Sequence, residues 1–230
     1  MIDLHSWTTP NGRKVHIMLE ECGLEHRDHP IDFRKGDQFT PEFLALSPNN
    51  KIPAIVDQDG PGGGPYTLFE SGAILMYLAD KTGMFWPTDA RGRAETVQWL
   101  MWQMGGLGPM FGNSGHFHYY AKEKHPDSKA HFLSASQHLC KVLDAQLAGN
   151  EFVAGKDYTI ADIAIWPWYM DPAKRGLVFA DYPNIQRWFA QVAERPGVKR
   201  GIQILEDIPR APMDDKAWEF MFGKTQYARR

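Results

Sequence analysis

The chain has 230 residues, 43% of them hydrophobic and 23% charged, the mix of a globular protein built as one large domain or two small ones. With 25 Lys and Arg against 28 Asp and Glu the formal net charge is −3, which leaves no basic face for nucleic acid. A mean hydropathy of −0.43 and the lack of a long apolar run exclude a membrane span.

In chain order, the start Met1-Ile2-Asp3-Leu4-His5 carries an early acid and no basic segment, which argues against a secretory leader and for a cytoplasmic protein. Residues 2–7 predict a first strand, stopped by the turn cluster Thr9-Pro10-Asn11-Gly12. Residues 15–21 predict a helix with Val15, Met18, Leu19 and Cys22 on one face and Gly23 as its stop. A second strand is expected over 29–33, with Pro30 assigning it to a sheet edge. Residues 52–57 and 66–69 bracket a Gly/Pro-rich hairpin tip, and 71–81 predict a helix with Ile74, Leu75, Tyr77 and Leu78 apolar. The order βαβ, short helix, ββα combines a crossover unit, which favours parallel pairing, with a hairpin.

Beyond Lys81 the strand signals stop. Helical runs are expected from Ala90 to about Tyr120, over 128–147, and near 160–170 and 184–195. Gly105-Gly106-Leu107-Gly108-Pro109 predicts a bend or break in the first of them. The expected organisation is an α/β domain over 1–82, a linker at 83–89, an all-helical domain over 90–208, and a tail at 209–230 lying as an irregular strap.

Four motifs carry chemistry, and each also has a plain structural reading. Thr8-Thr9-Pro10-Asn11-Gly12 joins a strand end to a helix start, where open N–H groups suit an anion such as a thiolate, but such turns are common. Pro53 opens a strand; a cis Ile52-Pro53 bond would turn the Ile52 backbone outward to pair with an extended peptide, whereas trans is the usual state. Glu70-Ser71 reads either as a helix cap or as a receiver for the ammonium and carboxylate of an α-amino acid. Thr159-Ile160-Ala161-Asp162 fits a capping box, which makes Asp162 structural. His131 and His138 share a helix face but lie too far apart to hold a metal, and no carboxylate or cysteine completes a ligand set, so no metal is expected.

Together, Thr9-Pro10-Asn11-Gly12, Ser47-Pro48-Asn49-Asn50-Lys51-Ile52-Pro53-Ala54-Ile55, Phe69-Glu70-Ser71-Gly72, Trp102-Gln103-Met104-Gly105, Gly115-His116-Phe117 and the run from Tyr158 to Trp168 resemble the cytosolic glutathione transferase superfamily, in particular its bacterial Nu class. The resemblance runs from Ile2 to about Gly201. It implies a thioredoxin-like N-terminal domain (βαβ-αββα), an all-helical C-terminal glutathione-transferase domain, and a homodimer. It implies glutathione-dependent disulfide-bond reductase activity on a small disulfide, with two glutathione molecules or the disulfide in one site. Gln38 would hold the glycyl carboxylate, the Ile52 backbone the cysteinyl unit, Glu70 the γ-glutamyl ammonium and Ser71 its carboxylate. Thr9 and Asn11 would surround the sulfur. Related members carry an Arg for the second glutathione where this chain has His131. Two alternatives stand beside this: conjugation of apolar electrophiles or cleavage of aromatic ethers, and a non-catalytic regulatory protein of the same fold. Cys22 and Cys140 both fall on apolar helix faces, so the reacting sulfurs are assigned to glutathione.

Overall fold

The computed structural model describes residues 1–228. Met1–Leu78 and the chain from Pro196 onward form one compact unit, and Ala79–Arg195 form another. In the first unit, strand β1 (Ile2–Ser6) leads into helix α1 (Pro10–Cys22), followed by β2 (His26–Pro30) and the short α2 (Pro41–Leu46). The hairpin of β3 (Ala54–Gly60) and β4 (Gly64–Phe69) then runs into α3 (Ser71–Thr82). The sheet order is β2-β1-β3-β4, with β1 and β2 parallel and the other pairs antiparallel.

Local rules explain most of these elements. Thr9 caps α1, its hydroxyl accepting from the Gly12 N–H at 3.1 Å, and Pro10 sits in the first turn, where its missing N–H costs nothing. Val15, Ile17, Met18 and Leu19 are buried, and Gly23 ends the helix at φ 62°. Cys22, expected on the buried face, is only half-buried.

Strand β2 departs from the sequence reading, which placed it at 29–33. Its residues are the polar His26-Arg27-Asp28-His29-Pro30, in register with β1 from Ile2↔His26 to Ser6↔Pro30. An edge strand needs ladder hydrogen bonds more than apolar side chains, so hydrophobicity misplaced it by three residues. Pro30 does fall on an edge strand.

The second unit is helical: α4 (Ala90–Trp102), α5 (Gly108–Gly115), α6 (Pro126–Ala148), α7 (Ile160–Ile165) and α8 (Pro183–Ala193). Of the bend or break expected at Gly105–Pro109, the break does not form. The backbone stays helical through a π-helical turn over Gln103–Leu107, and a second one follows α5 at His116–Tyr120. Widening the turn lets the chain pass Pro109 without breaking. Helix α8 buries Ile185, Trp188 and Val192, a spacing of three and four residues that marks one face.

Asp162 anchors this unit. Its carboxylate accepts from the Val153 N–H at 2.9 Å, the Thr159 N–H at 2.9 Å and Trp188 Nε1 at 2.8 Å, completing the capping box with Thr159. Burial pushes its carboxyl up to about 6 against these hydrogen bonds.

The chain then rejoins the first unit with α9 (Pro196–Gly201) and α10 (Asp215–Phe222). Residues 196–208 therefore belong to the first unit and not, as expected, to the helical domain. The reason is local: α9 lies directly on α1, and a Cβ at Gly201 would come within 2.7 Å of Ile17 Cα. The tail is not irregular throughout, since Asp214 caps α10 by accepting from the Ala217 N–H at 2.7 Å.

Replacing Asp162 by Ala strands three buried N–H donors, each worth roughly 1–3 kcal/mol. The expected loss is about 3–5 kcal/mol, read as a lowered urea midpoint; a midpoint within experimental error of the parent's would refute the anchoring role.

Candidate functional site

The strand register gathers the candidate residues. Ser6 pairs with Pro30, His5 with Ala54, and Ala54 with Phe69. The C-terminal ends of β1, β2 and β4 and the N-terminal end of β3 therefore lie at one end of the sheet. Thr9 and Asn11 follow β1, Ile52 precedes β3, and Glu70 and Ser71 follow β4. Gln38 lies farther along the segment that leaves β2. His131 is not part of this unit; it is exposed on α6, its ring edge-on to Phe132 at 5.2 Å.

Each position has a structural cause. The Thr9 hydroxyl spends a lone pair on the helix cap, which leaves its hydrogen to donate elsewhere. Asn11 is half-buried in the first turn of α1, where the backbone N–H groups have no helical partner. The Ile52-Pro53 bond is cis, the state the sequence reading weighed against an ordinary trans bond. Ile52 packs on the cluster of Ile31, Phe43 and Ala54. The approach to Ile52 is held by Ser47, whose hydroxyl donates to the Lys51 carbonyl at 2.7 Å.

Ser71 was read as the cap of α3, but it is the first helical residue. Glu70 takes the cap position, at φ 71°, its carbonyl accepting from the Ile74 N–H at 2.9 Å. Few residues other than glycine adopt that backbone. The twist leaves the Glu70 side chain exposed while Ser71 is buried.

Beneath Ser71 lies a residue that the motif reading passed over. Lys14 of α1 is fully buried, and its Nζ donates to Ser71 Oγ at 3.2 Å. Burial pushes this lysine down to about 7, opposed by the charge of Glu70. The signal was its spacing: Lys14 precedes Met18 by four residues, on the face that carries the apolar side chains.

Gln38 is only 3% exposed, and its amide donates to the carbonyls of Phe33 at 3.4 Å and Phe220 at 3.2 Å. Its donors are thus engaged within the chain, one of them by α10. The cysteines lie elsewhere. Cys22 ends α1, about 16 Å along the helix from Asn11 at 1.5 Å per residue. Cys140 is buried in the other unit beside Tyr169, and burial pushes its thiol up to about 11.

A thioredoxin-like sheet with helix N-termini opening beside Thr9 and Ser71, joined in one chain to a helical unit, defines a glutathione transferase. The chain belongs to that family: the glutathione S-transferase N-terminal domain matches residues 8–81 and the C-terminal domain residues 109–196. It is 46% identical over 203 residues to the Escherichia coli disulfide-bond oxidoreductase YfcG, covering 88% of this chain and 94% of that one. A glutathione transferase from Burkholderia graminis, solved with two glutathione molecules bound per subunit, superposes with a TM-score of 0.85 at 47% identity, over 90% of this chain and 89% of that one. A Pseudomonas putida glutathione transferase, solved with one glutathione disulfide per subunit, gives 0.83 at 47% identity, over 88% and 91%.

Gly12 sets how closely α1 approaches the end of β1. A Cβ there would overlap the Trp7 carbonyl oxygen and come within 2.6 Å of Ser6 Oγ. Helix propensity alone favours Ala over Gly by roughly 0.5–1 kcal/mol. Gly12→Ala is nevertheless expected to destabilise by about 1–3 kcal/mol through overpacking. A stabilised variant in urea denaturation would show that the helix start is not so constrained.

Proposed function

We propose that the chain is a glutathione-dependent disulfide-bond reductase in which both reacting thiols belong to glutathione. One observation carries this reading: the strand end that gathers Thr9, Asn11, Ile52, Glu70 and Ser71 has hydroxyl, amide and backbone donors but no cysteine, since Cys22 ends α1 and Cys140 is buried in the other unit. The name of YfcG as a disulfide-bond oxidoreductase and the glutathione disulfide in the Pseudomonas protein support it.

The residues fit glutathione. Ser71 and the open N–H groups of α3 suit the γ-glutamyl carboxylate, and exposed Glu70 suits its ammonium. The Ile52 backbone pairs with the cysteinyl unit. Thr9 and Asn11 donate toward the sulfur, which raises the thiolate fraction of a thiol whose ordinary pKa is about 8.5. Gln38 takes the glycyl carboxylate by exchanging the Phe220 carbonyl for it. By the resemblance, His131 takes the place of the Arg that would help hold a second glutathione.

In the reaction a glutathione thiolate attacks one sulfur of the substrate disulfide and displaces the other as a thiolate. A second glutathione resolves the mixed disulfide, so two thiols and glutathione disulfide leave. The protein supplies donors and orientation, with no covalent bond to itself.

The same reading makes the protein a cytoplasmic homodimer of the Nu class. In support of the dimer, the edge strand β4 exposes Tyr66 and Phe69. Light scattering at micromolar concentration should give twice the chain mass, and a monomer mass would remove the dimer.

Turnover of a small disulfide with glutathione, beside a chlorinated aromatic on the same preparation, tests the reaction itself. Disulfide turnover is expected to dominate, and faster conjugation would replace the reductase reading. Cys22→Ala with Cys140→Ala should keep most disulfide turnover, whereas Asn11→Ala should lower it roughly ten- to a thousandfold, the scale of losing one preorganised donor. A dead cysteine-free protein beside a healthy Asn11→Ala would transfer the chemistry to a protein thiol.

A further inference from the structure

A lysine side chain with no exposed surface is rare, because an ammonium loses its hydration on burial. Lys14 lies in the apolar interior of the first unit, flanked in sequence by buried Val15 and on the same helix face as buried Met18. A methionine would fill a similar volume without the desolvation penalty, so packing does not explain the residue. What distinguishes the position is its partner: Nζ donates to Ser71 Oγ at 3.2 Å, at the first residue of α3.

That bond has a direction. An ammonium has only hydrogens to give, so the Ser71 oxygen accepts and its own hydrogen must point away from Lys14. The hydroxyl is thereby left to donate on the side away from Lys14, at a helix start whose first N–H groups favour an anion. The positive charge below the same helix start adds to their field.

Resting on the glutathione reading given above, we propose that Lys14 is a positioning residue for the γ-glutamyl end of glutathione. Its buried ammonium orients the Ser71 hydroxyl and supplies the counter-charge for the incoming carboxylate through Ser71, without touching the ligand.

The charged group recorded as acting on Lys14 is consistent with this role. Glu70, at the head of α3, is the carboxylate that acts on Lys14. Once Glu70 also faces the ligand ammonium, the added ligand carboxylate favours the charged lysine. Binding therefore takes up a proton wherever Lys14 is partly neutral. Because burial brings the free-state lysine down to about 7, the sign is fixed: affinity is highest below that pH and falls as pH rises through it.

The test is calorimetric titration with S-methylglutathione, which has no titrating thiol, between pH 6 and pH 8.5, on the parent, Lys14→Met and Lys14→Gln. The parent is expected to bind more weakly as pH rises across this range. Both variants should bind roughly ten- to a hundredfold more weakly at pH 6.5, the scale of a charge-assisted hydrogen bond, with the pH slope flattened. The thermal midpoint of Lys14→Met should be unchanged or raised, and Lys14→Gln covers the case in which the apolar variant does not fold. Unchanged affinity in either variant overturns the proposal. So does weaker binding that keeps the parent's pH slope, because that is the mark of a merely structural lysine. A parent that fails to bind S-methylglutathione at any pH overturns the glutathione reading itself, which separates the two failures.

Discussion

Parallel pairing of β1 with β2 obliges the chain to cross back over the sheet through α1, while antiparallel pairing of β1 with β3 reverses the hairpin beside it. These two directions are enough to bring the end of β1, the start of β3 and the end of β4 to one rim. Two helices, α1 and α3, begin there, so the rim collects unpaired N–H groups and the positive ends of two helix dipoles. A thiolate and a carboxylate are both anions. The topology thus provides a place for each before any side chain is considered, and Thr9, Asn11 and Ser71 refine a preference that the backbone already has.

Much of this was legible in the residues. The Gly23 stop, the short helix before the hairpin and the capping box at Thr159 and Asp162 all rest on contacts within a few positions, which local rules capture. The register of β2 was not legible, because a polar edge strand is defined by its partner's ladder and not by its own side chains. The π-helical passage at Gln103–Leu107 escaped as well, since Gly and Pro signal an irregularity without saying whether the helix widens or stops. At the site, the motif identified Ser71 but not the lysine beneath it. Lys14 and Ser71 are 57 positions apart, and only the packing of α1 beside the head of α3 joins them.

Asp162 and Lys14, both fully buried, make an instructive pair. Asp162 sits among three N–H donors and holds a helix start together, so its burial is repaid in structure alone. Lys14 has a hydroxyl beside it and an exposed Glu70 acting on it, a setting at the head of a helix and not within a helix cap. A buried titratable group beside a helix start is one mark of a binding site.

The return of the chain to its first unit bears on how the protein is made. Synthesis runs from the N-terminus, so β1 to α3 leave the ribosome long before Pro196, and the surface of α1 around Ile17 that α9 covers stays bare in the meantime. Ala79–Arg195 is continuous in sequence and is fully synthesised before that cover arrives. The unit that begins first is thus the last to be closed, and its last α-helix, α10, brings the Phe220 carbonyl to Gln38.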